Sequence, residues 1–333
     1  MKTILKNLSL KKINWGVIGC GNYSENTFLP TFVHLKTAKI NSIFSKDIER
    51  SKYLANKFSI ENYYDNIDDF FNSNIQAVYL SSKNNEHFEH LLKAIESKKL
   101  ILTEKPIVLN SKEAKIVEQK AREYSAKIYV NLPYLYNPIV KKAADLINNN
   151  YIGKIISISA DYIVNYPTNN NYRYEKQSGG GPVYDLAPHL LSLIRFVKGD
   201  FKLNNSYMDN LIYQNEVEDF ASAQLLFDDG GVANINVGFC AKKAINSIKI
   251  TGYEGTIVID NLVHNRNGKT VMNIYKQGQL KLVFRKKANN LLLELREIQR
   301  NFLGRSSYSP FTFEASLKDI LIIEDILNNV SKR

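Results

Sequence analysis

Residues 13–24 read INWGVIGCGNYS, and their interpretation decides the fold. The segment opens with a short apolar run, Ile13 to Ile18, that predicts a buried strand. It then breaks into Gly19-Cys20-Gly21, with Ser24 where a third small residue is expected. Glycine at the first two positions permits a tight turn and lets backbone N–H groups come close to a pyrophosphate, which then rests on the N-terminus of the next helix. A lone G-x-G-x-x-S carries little information. Between a predicted strand and a predicted helix (ENTFLPTFVHLK, with Pro30 inside it) it points to a dinucleotide site.

Downstream, the same alternation repeats. AKINSIFS, QAVYLSS, LILTEKP and KIYVNL read as strands, and DIERSKYLANKF, NEHFEHLLKAIESK and SKEAKIVEQKAREYS as amphipathic helices. Alternation at this spacing predicts βαβ units and a doubly wound parallel sheet. After residue 131 the pattern changes. KIISISADYIVNY, VEDFASAQLLF, GGVANINVGFCA, INSIKITGY and GTIVID are long strands with little helix between them, the mark of an antiparallel sheet covered on one face. Asp229-Gly230 and Glu254-Gly255 read as hairpin turns. NPIVKKAADLINNN, ANNLLLELREIQRNFL and FTFEASLKDILIIEDILNNV read as helices. The expected architecture is α/β: an N-terminal Rossmann doubly wound parallel sheet over 1–131, then a C-terminal α+β domain over 132–333 with a large, mostly antiparallel, open-faced sheet.

Composition narrows the function classes. An apolar fraction of 44% is ordinary for a globular chain, and no run approaches a membrane span. The basic N-terminus, MKTILKNLSLKKINW, lacks the apolar core and cleavage site of a secretory signal. Two distant cysteines, Cys20 and Cys240, argue for a reducing, cytoplasmic setting and against a disulfide framework or a zinc site. His87 and His90 form an H-x-x-H pair without further ligands, so the pair reads as helix surface and no metal is expected. The net charge of +11, from 44 basic and 33 acidic residues, is scattered. No basic stripe interleaved with aromatics suggests nucleic acid. The charge does suit small anionic molecules such as phosphorylated cofactors or nucleotide sugars.

Three places carry chemistry. The second strand ends at Ser45-Lys46, with Arg50 one turn into the next helix. A hydroxyl and two cations suit the 2′-phosphate of NADP rather than the ribose 2′-OH of NAD, although a one-residue shift of register would put the Asp47 carboxylate there instead. TEKP (103–106) closes another strand, which aims Glu104 and Lys105 at the crevice beyond the strand ends. A lysine beside a nicotinamide can donate to a substrate oxygen and stabilise the charge that develops during hydride transfer. SGGGPVYDLAPH (178–189) brings glycines that leave room for ligand packing. Because Pro188 is tolerated only in a first helical turn, the helix starts at about Asp185 or Leu186. That places Asp185 and His189 four residues apart on one face. An imidazole with an ordinary pKa of about 6.5 can exchange a proton with a hydroxyl at neutral pH.

With these motifs in hand, the chain resembles the glucose–fructose oxidoreductase / inositol dehydrogenase (Gfo/Idh/MocA) family from WGVIGCGNY to the terminal FEASLKDILIIEDIL. Further landmarks are Asn84 and His87 after the fourth strand, E-K-P at 104–106, Y-N-P at 136–138, and the glycine-rich D-x-x-x-H ending at His189. The resemblance implies a catalytic set of Lys105, Asp185 and His189, with His189 as acid/base. Together with the strand-end residues read above, the expected cofactor contacts are Gly19, Gly21, Asn22, Tyr23, Ser45, Lys46, Arg50, Ser82, Asn84, His87, Glu104 and Lys105. Tyr134, Arg173 and Tyr174, flanking the two motifs, are candidate substrate contacts alongside Asp185 and His189. Three positions depart from the family pattern: Ser192 stands where an aspartate is common, Leu135 where an arginine is common, and Ser24 at the third glycine. The first two leave the substrate class open.

The expected activity is hydride transfer between an NADP nicotinamide and a carbinol or carbonyl carbon of a sugar or sugar derivative. Alternatives are a nucleotide-sugar dehydrogenase or ketoreductase of surface-polysaccharide synthesis, and a non-catalytic sensor of dinucleotide or sugar. The open face of the second sheet is expected to be apolar, and an exposed apolar face seeks a partner; the family implies a homodimer or homotetramer through that sheet.

Overall fold

The structure is a computed structural model that describes residues 12–166, 168, 171–263 and 269–329; the basic stretch 1–11 lies outside the described residues. The first sheet has six parallel strands: β1 (Ile13–Ile18), β2 (Ala38–Phe44), β3 (Asn62–Tyr64), β4 (Ala77–Leu80), β5 (Leu100–Thr103) and β6 (Ile128–Val130). Their order is β3-β2-β1-β4-β5-β6, so the chain reverses direction across the sheet between β1 and β4. Ligands bind outside the strand ends at that switch point. β3 and the following helix α3 (Ile67–Asn72) were not anticipated from the sequence. A three-residue strand is too short to show a period.

The first helix is irregular. Residues Ser24–Phe28 form a π turn that leads into α1 (Leu29–Phe32), with Pro30 at its N-terminus. A widened turn accommodates a proline that has no N–H to offer the ladder. On the first sheet, α2 (Ile48–Phe58) starts from Asp47, whose carboxylate accepts from the amides of Glu49 and Arg50. α4 (His87–Glu96) and α5 (Ser111–Glu123) cover the β4–β6 side.

The second sheet has eight strands in the order β14-β13-β12-β11-β7-β10-β9-β8. They are β7 (Ile155–Asn165), β8 (Phe201–Asp209), β9 (Phe220–Phe227), β10 (Val232–Gly238), β11 (Cys240–Gly252), β12 (Thr256–Asp260), β13 (Thr270–Lys276) and β14 (Gln279–Lys286). β7 and β10 run parallel, and the other pairs are antiparallel. The inner face buries Ile158, Ala160, Ile235, Val237, Ile248 and Ile250. Three helices cover it: α6 (Pro138–Asn148), α8 (Ala187–Lys198) and α10 (Phe313–Asn328). The outer face is mixed rather than apolar, which corrects the expectation behind the oligomer reading. Asn236 donates to Asp161 (2.7 Å) and Gln224 to Asn234 (3.2 Å), beside Ser157, Ser159 and Ser222, while Leu226 and Ile245 stand exposed on the same face. Strands β8, β13 and β14 were not read from the sequence. β14 is largely exposed and rich in lysine and arginine, so it has little apolar alternation.

One helix crosses over. α9 (Asn290–Phe302) follows the second sheet but packs on the first, where Leu291, Leu295 and Ile298 join Trp15, Phe32 and Val17 in a single core. Its Gln299 accepts from the Trp15 indole (3.1 Å) and donates to the Thr37 carbonyl (2.8 Å). Fully buried Glu294 accepts from the Leu132 amide (2.8 Å), just past β6. Burial holds the Glu294 carboxyl well above the ordinary carboxylate range, so it stays protonated when folded at a pH that ionises it unfolded. Its contribution is complete below the ordinary glutamate pKa of about 4.3 and is lost as pH rises toward the folded value. We expect Glu294 to make the melting temperature fall as pH rises above about 5, and Glu294→Gln, which mimics the neutral acid, to flatten that slope. A variant as steep as the wild type in a pH series of thermal melts would refute this assignment.

Candidate active site

The glycine turn is built by close approach. Gly19 has φ +101°, and a Cβ there would lie 2.3 Å from the Ser81 carbonyl oxygen at the end of β4. Ser24 is used rather than merely tolerated: its hydroxyl donates to the Gly19 carbonyl (2.7 Å) and lies 2.7 Å from the Ser81 hydroxyl. Gly21 meets nothing within 4 Å, so its face stays open. A tight turn, an open backbone face and the start of a helix are what a dinucleotide pyrophosphate requires.

At the β2 end, Arg50 is fixed. Its Nε donates to the Cys20 carbonyl (2.9 Å), and its Nη2 pairs with Glu25, which also binds Lys57 (2.5 Å). Lys46 pairs with Glu86 (2.6 Å). Asp47 is committed to capping α2, and the Ser45 hydroxyl accepts from the Asp47 amide (3.2 Å). Burial pushes the neighbouring Cys20 thiol up to about 12, so it stays protonated.

Below this edge opens a cavity of about 420 Å³ between the two sheets. Tyr23, Ser82, Asn84, His87, Glu104, Lys105, Tyr134, Arg173, Asp185 and His189 all line it, so most of the residues singled out in the sequence converge on one place. Gly19, Gly21, Asn22, Ser45, Lys46 and Arg50 do not line this cavity; they lie at the cofactor-turn end of the same sheet edge.

The centre of the cavity is a charged triad. Lys105 Nζ donates to Asp185 Oδ1 and to the Asp185 carbonyl, both at 2.7 Å. Arg173 Nε donates to Asp185 Oδ2 (2.9 Å), and its guanidinium lies over the rings of Tyr166 and Tyr172. Burial alone would raise the Asp185 pKa, but the Lys105 ammonium and the Arg173 guanidinium hold it well below the usual carboxylate range. Asp185 ends the short helix α7 (Pro182–Asp185), and α8 begins at Ala187. Its carboxylate is an ion-pair partner of Lys105 and Arg173. His189 follows one turn on, buried, with ring-edge contacts to Tyr134 (5.4 Å) and Tyr162 (5.8 Å).

Glu104 accepts from Tyr79 (2.5 Å) and from Asn131, and Asn131 also reaches the Tyr23 hydroxyl (3.3 Å). Burial raises the Glu104 pKa against the pull of these donors. The Lys105–Pro106 peptide is cis.

Three readings from the sequence change. The glycines at 179–181 do not leave space for ligand: a Cβ at Gly180 would lie 2.5 Å from the Arg173 carbonyl oxygen, and one at Gly181 would lie 2.4 Å from Glu218. They permit protein to pack on protein. His87 and His90 are buried, not surface. His87 Nδ1 lies 2.7 Å from the Pro106 carbonyl, and His90 Nδ1 lies 2.8 Å from Ser82 Oγ. Asn84 donates to the Gly179 carbonyl (2.8 Å), tying the β4 loop to the glycine run. Tyr174 is packed away, its ring against Phe239 and its hydroxyl on the Tyr166 carbonyl (3.1 Å). Tyr172 lines the cavity in its place. In the single 3-10 turn Tyr172–Tyr174 the two tyrosines point different ways, which residue type alone does not reveal. Tyr79 and Asn131 were also missed, because a strand tyrosine and a strand-end asparagine carry no motif. Ser192, at the family's aspartate position, shares a 2.5 Å contact with the Tyr134 hydroxyl and donates to the Pro188 carbonyl (2.7 Å).

Among the described residues no group of His, Cys, Asp and Glu is placed to hold a metal, and no helix is long and apolar enough to cross a membrane.

Comparison with known proteins agrees with this geometry. Residues 13–132 match the model of an oxidoreductase family with an NAD-binding Rossmann fold, and residues 140–258 match the GFO/IDH/MocA C-terminal domain. The oxidoreductase P35 of Formosa agariphila is 28% identical over 258 residues, 74% of this chain and 78% of that protein. Among solved structures, a 3-ketoreductase from Actinomadura kijaniata with NADP and TDP-benzene superposes with a TM-score of 0.87 at 20% identity, covering 96% of this chain and 98% of that one. A levoglucosan dehydrogenase with NADH and levoglucosan gives 0.86 at 20% identity, covering 96% and 97%. At that identity the two structures establish a shared fold. The chain is an oxidoreductase with an NAD-binding Rossmann fold and belongs to the Gfo/Idh/MocA family.

Proposed function

We propose that the protein moves a hydride between a nicotinamide and a hydroxyl-bearing or carbonyl carbon of a sugar or sugar derivative, a nucleotide sugar included, and that it prefers NADP to NAD. The observation that carries the reading is the Lys105–Asp185–Arg173 cluster beside His189, in one cavity at the carboxyl ends of the parallel strands. A bound nicotinamide would supply the hydride donor or acceptor. The chain's own groups handle the oxygen and the proton. Lys105 donates to the substrate oxygen and stabilises the negative charge that builds there. His189 gives a proton to that oxygen in reduction and takes one in oxidation. Asp185 holds Lys105 in place from both its carboxylate and its carbonyl, and Arg173 fixes Asp185 from the other side. Tyr134 and Tyr172 are the proposed sugar contacts. Two named relatives support the substrate class by what they act on or bind: levoglucosan in one and a TDP ligand in the other.

The NADP preference rests on Lys46 and Arg50 at the β2 end, beside an Asp47 whose Oδ1 is engaged in capping α2. Isothermal titration should give a lower Kd for NADPH than for NADH. Lys46→Ala, which leaves the Arg50 contact to the glycine turn in place, should lose about 1.5–3 kcal/mol of NADPH binding, the worth of one charge-assisted contact, while changing NADH little. Tighter NADH binding by the wild type would refute the preference. A screen of keto-sugars, followed by loss of reduced-nicotinamide absorbance, would then identify the substrate. The amide-rich outer face of the second sheet is the surface we propose for self-association, in a homodimer or homotetramer.

A further inference from the structure

The two cations at the β2 end differ in how they are held. Arg50 is locked: its partner Glu25 is only 12% exposed at the side chain and carries Lys57 as a second cation. Lys46 is 69% exposed, and its partner comes from elsewhere in the fold. Glu86 follows β4, and Lys46 follows β2; in the sheet order β2-β1-β4 the strand between them is β1. The 2.6 Å pair therefore bridges the two strand ends that flank the Gly19-Cys20-Gly21 turn, at the edge where the adenosine half of a dinucleotide enters.

We infer that Glu86 is a specificity-determining residue that opposes Lys46 in reading the ribose 2′ position of the cofactor. The inference rests on the proposed placement of the dinucleotide at this edge. A 2′-phosphate must take Lys46 from Glu86 and then sits beside a carboxylate of like charge. A 2′-hydroxyl has no such conflict, because it can donate to Glu86 while the Lys46 pair stays intact. Lysine favours the phosphate and glutamate favours the hydroxyl, so the ratio of the two affinities depends on both. Glu86 is held for this role: it ends the 3-10 turn Asn84–Glu86, and the next residue, His87, is buried against the Pro106 and Ser82 carbonyls. Lys46, on its long exposed stem, is the member free to swing. Glu89, one turn further along α4, also acts on Lys46 through its charge.

The test compares NADPH and NADH binding by titration calorimetry for wild type, Glu86→Gln and Glu86→Gln/Glu89→Gln, with thermal melts to confirm folding. Glu86→Gln should raise the NADPH-to-NADH affinity ratio about two- to fivefold, the range set by an exposed ion pair. The rise should shrink in high salt, because screening weakens exposed pairs. The double variant should raise the ratio at least as far, since Glu89 can no longer take over Lys46. A ratio unchanged in both variants overturns the inference, whichever cofactor the wild type prefers. A wild type that binds NADH more tightly overturns the NADP reading instead, and a ratio that still rises in Glu86→Gln leaves the inference standing.

Discussion

Replacing Lys105 with alanine is expected to lower turnover by about 10²–10³-fold, the usual cost of removing one donor aimed at a developing oxyanion, while leaving NADPH binding largely intact. Lys105 is the cavity ammonium bound to Asp185. In the variant a substrate oxygen loses its charged donor, and Asp185 is left with Arg173 alone. Breaking a buried pair from one side destabilises by about 3–5 kcal/mol when nothing else compensates. Arg173 remains, so the loss of stability should be smaller. This separates two explanations. If Lys105 acted only by neutralising Asp185, the double variant Lys105→Met/Asp185→Asn, in which no carboxylate is left to neutralise, would recover turnover even though Arg173 loses its ion pair. Under the role proposed here turnover stays low. Recovered turnover, measured by single-turnover oxidation of NADPH with the substrate from the screen, would overturn the assignment of Lys105.

Replacing His189 with asparagine is expected to cost about 10²–10⁴-fold in kcat, the range for a positioned general acid/base. It should also remove one limb of the pH–rate profile. His189 is buried and held by ring-edge contacts from Tyr134 and Tyr162. Asparagine keeps a polar group in that cage but cannot exchange a proton near neutral pH. A structural role would lower stability and leave the shape of the profile unchanged. Retention of the limb in His189→Asn would place the proton transfer on another group.

The two halves of the fold were unequally legible. The parallel half was plain, because buried parallel strands are continuous apolar runs and their helices are amphipathic at a 3.6-residue period. The second sheet was legible wherever one face is buried, as in β7, β9, β10 and β11. It was not legible at β8 and β14, the two edges, nor at β13, although β13 buries Met272 and Ile274 on one face. The polar part of the outer face was written in the strands as Ser157, Ser159, Asp161, Asn234 and Asn236. It was still read as apolar, because a sheet open on one side invites that inference.

The candidate site shows where sequence reasoning ends. The sequence by itself determined which groups meet: a glycine turn at a strand end, a lysine at another, and an aspartate and a histidine one helical turn apart. Local geometry is enough for this, since strand ends in a doubly wound sheet share one edge and residues i and i+4 share a helix face. Only the tertiary structure decided what those groups do to one another. It set Arg173 on Asp185, tied Asn84 to Gly179, turned Tyr172 in and Tyr174 out, and brought α9 back across the chain to seal the first sheet with Leu291 and Leu295. Each of these pairs residues far apart in sequence or depends on a side chain's direction. Such contacts are selected by packing and by the need to satisfy buried charge, and no period or motif in the chain encodes them.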